Sequence, residues 1–346
     1  MTHRPPCLIP AFVALALGPL VSACAGLRLR EINHSVRQPS NIAVYFTVDR
    51  SNGSPVPGLT ADRFRIFEDG RPVSTFESRQ TILNPQVAAV HYTMLLVDMS
   101  GSVTESGQVP ALQAAAQAFT ARVEQHQRVG IYAFDGSREL YPIVPFTSSQ
   151  GSAAGGIASL SSFRARDPST NLFGAVVEAT RVLRRALDQA TQPLKFGTLV
   201  VFTDGTDRAH RVTRDAMTQA INDAHFDIFA IGVGSEVDPG ELGAVGRNGV
   251  VIEHNQAAVQ QAFEQIAQRI VGYTQRFYLL GYCSPARAGE HDVRIEATTT
   301  DGASGSIEYR FNAQGFGPNC DPNTPPSFDT TLRHAPRGTD LGHPER

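Results

Sequence analysis

The sequence predicts an α/β fold: a doubly wound, mostly parallel sheet flanked by a β-sandwich module built from the segments on either side of it. Three observations carry this. Short apolar runs recur between about Val90 and Tyr273, at Met94–Val97, Val129–Phe134, Leu199–Thr203, Ile228–Val233 and Val250–Ile252. Runs of that length read as strands buried on both faces of a parallel sheet. Helical periodicities lie between them, with Leu112, Ala115, Phe119 and Val123 on one face, then Leu172, Val176, Ala179, Leu183 and Leu187, and later Val259, Phe263, Ile266 and Ile270. Before and after this region apolar residues return at every second position, which is the strand period.

Taken in order, the chain divides as follows. Residues 1–23 carry one early charge, Arg4, then an apolar stretch to Val21-Ser22-Ala23-Cys24. That ending resembles a bacterial lipoprotein cleavage box, which implies acylation of Cys24 as the first mature residue. A plain cleaved signal and an uncleaved membrane helix are the other readings, and Pro10, Gly18 and Pro19 weaken the helix because each breaks or frays one. Ala25 is not Asp, which in that pattern favours the outer membrane of a Gram-negative envelope. Residues 24–39 are polar and mixed and read as a tether. Residues 40–88 read as a β module: Ile42, Val44, Phe46 and Val48 alternate as a half-buried strand, Asn52-Gly53 turns, Phe64 and Ile66 point one way, and Asp69-Gly70 turns again.

The central domain spans 90–273, with Leu140–Val144 as an antiparallel edge strand. Residues 274–320 return to strands: Phe277–Tyr282, then Val293, Ile295 and Ala297, then Ile307, Tyr309 and Phe311, with Gly302 and Gly305 marking a hairpin. Neither β half has enough strands to bury two faces, so the halves should join in one sandwich. Residues 321–346 are Pro-rich and read as a disordered tail. Cys283 and Cys320 remain once Cys7 is assigned to the leader and Cys24 to the lipid site, and an even pair in an exported chain reads as a disulfide.

Composition excludes several functions. Net charge is −3 over 346 residues, so no basic field advertises nucleic acid. Lys195 is the single lysine and stands in no Gly-x-x-x-x-Gly-Lys setting, so there is no P-loop. No Gly-x-Ser-x-Gly elbow or His-Glu-x-x-His motif occurs, and His210, His225 and His254 are scattered. Gly232-Val-Gly234 lacks the third glycine of a dinucleotide loop and reads as a turn. Asp135 and Asp207 fall on loops at the same sheet edge and read either as acids that support the site from behind its ligands or, as the favoured reading, as surface acids.

One stretch carries chemistry. Met94-Leu-Leu-Val-Asp98-Met-Ser100-Gly-Ser102 is an apolar strand ending in a carboxylate and two hydroxyls over a turn that Gly101 permits. Ligands in open α/β sheets bind beyond the carboxyl ends of strands. Hard oxygens at this spacing suit Mg²⁺ or a similar cation. Asp-x-Ser-x-Ser resembles the metal-ion-dependent adhesion motif of von Willebrand factor A domains. That motif has two further parts. Ser169-Thr170-Asn171-Leu172-Phe173-Gly174 resembles its Thr-bearing loop before a helix, and Leu199-Val-Val-Phe-Thr203-Asp204-Gly205 its second strand ending in Asp. The phrase around Val56-Pro-Gly58-Leu59-Thr60 and Phe67-Glu68-Asp69-Gly70 resembles the β segment preceding the domain in bacterial relatives.

The resemblance implies a metal site of Asp98, Ser100, Ser102, Thr170 and Asp204 holding Mg²⁺, or Mn²⁺ or Ca²⁺, with a position open for a carboxylate from a protein partner. The expectation is therefore a lipid-anchored envelope protein that recognises a partner and is not an enzyme. A scaffold with incidental metal and a metal-dependent hydrolase are the alternatives. The hydrolase needs a base within reach of a metal-bound water, and no residue is identified for it.

Overall fold

The computed structural model describes residues 26–147, 152–253 and 258–328. The expected signal peptide with Cys24, residue His254 and the last part of the tail lie outside the described residues.

Five strands open the described chain: β1 (Leu27–Arg37), β2 (Asn41–Arg50), β3 (Phe64–Glu68), β4 (Arg71–Pro72) and, after a single helical turn α1 (Thr75–Ser78), β5 (Thr81–Leu83). The β3–β4 reversal is made by Asp69 and Gly70, both at positive φ. The central domain follows: β6 (Ala89–Asp98), α2 (Gly101–Glu105), α3 (Val109–Val123), β7 (Arg128–Phe134), β8 (Tyr141–Thr147), α4 (Ser152–Ala158), α5 (Leu172–Asp188), β9 (Leu194–Thr203), α6 (Arg214–Ala224), β10 (Asp227–Val233), α7 (Pro239–Val245), β11 (Gly249–Glu253) and α8 (Val259–Gln275). Three strands close it: β12 (Phe277–Cys283), β13 (Glu290–Thr298) and β14 (Ser304–Asn312).

The central sheet has the order β11-β10-β9-β6-β7-β8. Its pairs are parallel except β7–β8, so the expected antiparallel edge is there. Side chains alternate across it as the pleat requires. Leu95 and Val97 of β6 pack with Leu112, Phe119, Phe263 and Ile266 of α3 and α8. Met94 and Leu96 pack on the other face with Val176 and Leu183 of α5 and Ile221 of α6. The helical stripes read from the sequence are thus core.

The flanking sandwich interleaves both ends of the chain. One sheet has the order β1-β2-β12-β5 and the other β14-β13-β3-β4. Ile42, Val44, Phe46, Tyr278, Leu280 and Tyr282 face Phe64, Ile66, Val293, Ile295, Ile307 and Phe311. The sandwich meets the central domain through a second cluster, where Tyr45, Ile32, Phe277 and Phe328 pack against Ala88, Ala89 and Leu194, at the starts of β6 and β9. A buried ion pair between Asp49 of β2 and Arg276, just after α8, ties the two bodies at the same level.

Four expectations are corrected. Residues 27–37 of the expected tether form β1, paired along β2. The strand expected as half-buried, β2, is buried on both faces, because Ala43 and Tyr45 point into the junction with the central domain. Residues 321–328 of the expected disordered tail are packed: the Asp321 N–H donates to Asn41 Oδ1 at 3.0 Å, the Ser327 N–H to Ser35 Oγ at 2.9 Å, and Phe328 is buried. Asp135 and Asp207, read as surface acids, are buried, for reasons that belong to the site below.

Cys283 and Cys320 are joined as a disulfide across a sequence separation of 37 residues. Closing a loop of that size removes chain entropy from the unfolded state equivalent to about 4 kcal/mol. Replacing both cysteines with serine should lower unfolding stability by up to that amount, read as a shift in the urea midpoint. An unchanged midpoint would mean that residues 321–328 hold this end by packing alone.

Candidate functional site

The site forms where β6 and β9 leave the sheet. The two strands are neighbours, and Val97 lies opposite Phe202, so Asp98 ends one strand beside Thr203 and Asp204 at the end of the other. Asp98 is fully buried, and its Oδ1 accepts the Ser100 N–H at 2.9 Å. Its Oδ2 accepts the Thr203 hydroxyl at 2.7 Å. Ser100 and Ser102 hydroxyls lie 3.2 Å apart, and Ser102 donates to Asp204 Oδ1 at 2.8 Å. Four of the five expected ligands therefore form one hydrogen-bonded chain from Asp98 to Asp204.

Thr170, the fifth, comes in on the loop between α4 and α5. It is buried, and its hydroxyl lies 3.9 Å from where a side chain on Gly205 would begin. The loop docks directly on the motif turn: the Gly101 N–H donates to the Pro168 carbonyl at 2.9 Å. A β-carbon at Gly101 would sit 3.0 Å from Pro168 Cβ and 3.2 Å from its carbonyl oxygen, so a side chain there would push the loop back by a few tenths of an ångström.

Asp135 and Asp207 hold that loop from either side. Asp135 Oδ2 accepts the Arg166 N–H at 2.7 Å and the Tyr141 hydroxyl at 3.1 Å, and its Oδ1 accepts the Ser137 N–H at 2.7 Å. Asp207 Oδ1 accepts the Phe173 N–H at 3.1 Å, in the first turn of α5, and Oδ2 accepts the His210 N–H at 3.1 Å. The Thr170 carbonyl accepts the N–H groups of Arg208 and Ala209 at 2.9 and 3.0 Å. Unpaired backbone donors in a buried loop are costly, and these carboxylates satisfy them. His210 and His225 are exposed, on left-handed backbone, and stand apart from the hydrogen-bonded chain of the site.

Two further residues belong to the site without having been read from the sequence. Thr203 fixes the second oxygen of Asp98. Gln108, before α3, places its amide 3.4 Å from Asp204 Oδ2, while its own Oε1 is buried without a hydrogen-bond partner. Thr203 was visible only as the polar end of an apolar run, and Gln108 carries no signal in the sequence.

The electrostatics are those of an anionic pocket. Burial, with the charge of Asp204 nearby, pushes the Asp98 carboxyl up to about 7. Burial also raises Asp204, and Glu236 adds to the effect. The hydrogen-bond donors to the two carboxylates are the Ser100 N–H and the side chains of Thr203, Ser102 and Gln108, all neutral. Two buried acids served by neutral donors are short of positive charge, and a hard divalent cation supplies that. Among the described residues no cluster of three or more His, Cys, Asp or Glu is gathered, so hydroxyls must complete any ligand set here. The residues present thus fit a Mg²⁺-like ion through Asp98, Ser100, Ser102, Thr170 and Asp204.

Residues 93–206 match the family model for the von Willebrand factor type A domain. No curated protein matches the sequence. Among solved structures, a von Willebrand factor type A protein from Catenulispora acidiphila is 13% identical, with 84% of this chain and 74% of that one covered and a TM-score of 0.45. Proximal thread matrix protein 1 from the mussel byssus, with a zinc-occupied MIDAS motif, is 14% identical, covering 52% of this chain and 48% of that one, with a TM-score of 0.45. The pilus adhesin SpaC of Lactobacillus rhamnosus GG, in an open conformation, is 10% identical, covering 83% and 47%, with a TM-score of 0.43. The chain spans about half the length of the last two. Within the central unit, residues 93–206 are thus of the von Willebrand factor type A kind.

Proposed function

We propose that this protein is a lipid-anchored envelope protein whose central domain captures a partner protein through a divalent cation. The observation that carries the reading is the pair of buried acids, Asp98 and Asp204, linked by Ser100 and Ser102 and contacted by neutral donors alone. A bound Mg²⁺ would supply Lewis acidity toward an incoming oxygen ligand. Asp98 and Asp204 balance the ion's charge, and Ser100, Ser102 and Thr170 add neutral oxygens. Three neutral donors leave the ion electrophilic enough to take a carboxylate from a partner side chain. Ser102 is exposed, so a partner would reach the ion from its side, beyond the strand ends.

Anchoring would be through acylated Cys24. No helix among the described residues is long and apolar enough to cross a membrane. Labelled-palmitate incorporation should be seen in the wild type and lost in Cys24→Ser. Metal-dependent capture is tested by pull-down from envelope extract with and without EDTA: a partner retained equally in both would favour a scaffold.

Thr170→Ala should weaken Mg²⁺ binding by only a few-fold, because a water can take the place of a hydroxyl. Titration calorimetry on this variant measures it. A loss as large as that from removing a carboxylate would show that Thr170 positions the loop as well as offering an oxygen.

A further inference from the structure

The chain enters the fold much closer to Cys24 than a tether would allow. β1 starts at Leu27, and the Gly26 carbonyl already accepts the Ser51 N–H at 2.9 Å. Ala25 alone separates Gly26 from Cys24. Two peptide steps span at most about 7 Å. An acyl group on Cys24 would therefore hold Gly26 at the level of the lipid headgroups.

The surface around Gly26 is built from three elements. Leu27 lies opposite Arg50 at the end of the β1–β2 pair. Gly26 lies against the Ser304 carbonyl at the end of the β13–β14 hairpin. Between them the segment after β2 presents Ser51, Asn52, Ser54, Pro57 and Thr60 to solvent. A cleft of about 490 Å³ opens here, lined by Arg50, Pro57, Leu59, Arg63, Thr300 and Asp301. Arg50 pairs with Asp301 at 3.0 Å and Arg63 with Asp62 at 3.7 Å. Exposed pairs of this kind are worth little and exchange readily for a phosphate, which guanidinium groups bind well.

This surface and the metal site lie at opposite ends of the central domain. Gly272, in the last turns of α8, adjoins Pro55, and Arg276 pairs with Asp49 next to Arg50. That end of α8 is level with the starts of the parallel strands, where Ala89 meets the sandwich. Asp98 ends the ten-residue β6, about 30 Å further on.

We propose that residues 51–63 and 299–303 form a membrane-facing surface, resting on phospholipid headgroups and directing the metal site away from the bilayer. The inference rests on the acylation of Cys24 proposed above. The test uses the full-length acylated protein in vesicles of phosphatidylethanolamine and phosphatidylglycerol containing a nitroxide-headgroup lipid. Thr300→Cys, on this surface, and Ser106→Cys, beside the metal site, are each labelled with a fluorophore. Both positions are exposed and outside the core, so folding is undisturbed. Quenching should be severalfold stronger at position 300 than at 106. Intact mass is measured first: a chain without lipid overturns the anchoring and the surface together. An acylated chain quenched equally at both positions, or more at 106, overturns the surface alone.

Discussion

Asp98→Ala should lower Mg²⁺ affinity roughly 100-fold or more while the fold persists. Changes to groups that merely orient a metal ligand already cost about 10- to 100-fold, and Asp98 would be a ligand in its own right. Its loss also halves the negative charge that the two buried acids bring to the ion. Partner capture should fail with metal binding, since the partner carboxylate would be taken by the ion. The fold should survive, because Asp98 contacts the Ser100 N–H and the Thr203 hydroxyl, and Thr203 keeps a second acceptor in the Gly205 carbonyl at 3.2 Å. Calorimetric titration of both proteins, with circular dichroism as the folding control, measures this. Equal Mg²⁺ affinity in wild type and variant would remove Asp98 from the metal site and leave the scaffold reading in front.

How much of this was legible in the sequence depends on what each residue packs against. The runs ending at Asp98, Phe134, Thr203, Val233 and Ile252 announced their strands because a parallel sheet covered on both faces demands continuous apolarity. Period two exposed β13 and β14, which are buried on one face only. β1 escaped notice for a physical reason. A bulge between Glu31 and Asn33 breaks its alternation and turns Ile32 toward the central domain, so its pattern reads as mixed and polar. The same junction buries Ala43 and Tyr45 of β2 and recruits Phe328 from a proline-rich stretch, and contacts between distant segments leave no local periodicity. Asp135 and Asp207 looked like surface acids because the donors they satisfy, the N–H groups of Arg166 and Phe173, belong to loop ends some thirty residues away. The helices α4, α6 and α7 carried too few apolar positions to stand out, with Ala153 and Ile157 buried in α4, Met217 and Ile221 in α6, and Leu242 and Val245 in α7.

In the site, three of the proposed ligands were legible for a simple reason. Asp98, Ser100 and Ser102 are neighbours in the chain, and their spacing is itself the signal. Thr170 and Asp204 were reached by resemblance, since nothing local marks a threonine on a loop as a metal donor. The structure adds what the resemblance did not carry: the Thr170 loop is held by two buried carboxylates and docked on Gly101, so its position is fixed by backbone bonds on both sides.

In the metal-free protein, wild type should lose about 4 kcal/mol of stability relative to Asp98→Asn as pH rises from about 4 to 8. Burial holds the Asp98 carboxyl at about 7, against about 3.9 in an unfolded chain. Between those values the folded chain keeps a proton that the unfolded chain has released. The stabilisation is complete below the unfolded value and is lost as pH climbs through the folded one. Asp204 is raised as well, but both proteins carry it, so its own titration largely cancels in this comparison. The comparison with Asp98→Asn is needed because other groups titrate too. His91, stacked with Phe196 and Phe277, is pulled down to about 4 by burial and acts with the opposite sign. Asparagine keeps the shape of the site and never carries the charge, so His91 cancels in the difference. Saturating Mg²⁺ should abolish the pH-dependent loss in wild type by neutralising both carboxylates, and should leave Asp98→Asn nearly unmoved. Urea unfolding of both proteins at pH 4, 6 and 8, with and without Mg²⁺, provides the numbers. Metal-free curves that stay parallel across this range would show that the two carboxylates are not poised against each other, and the charge argument for a cation at this site would fall with them.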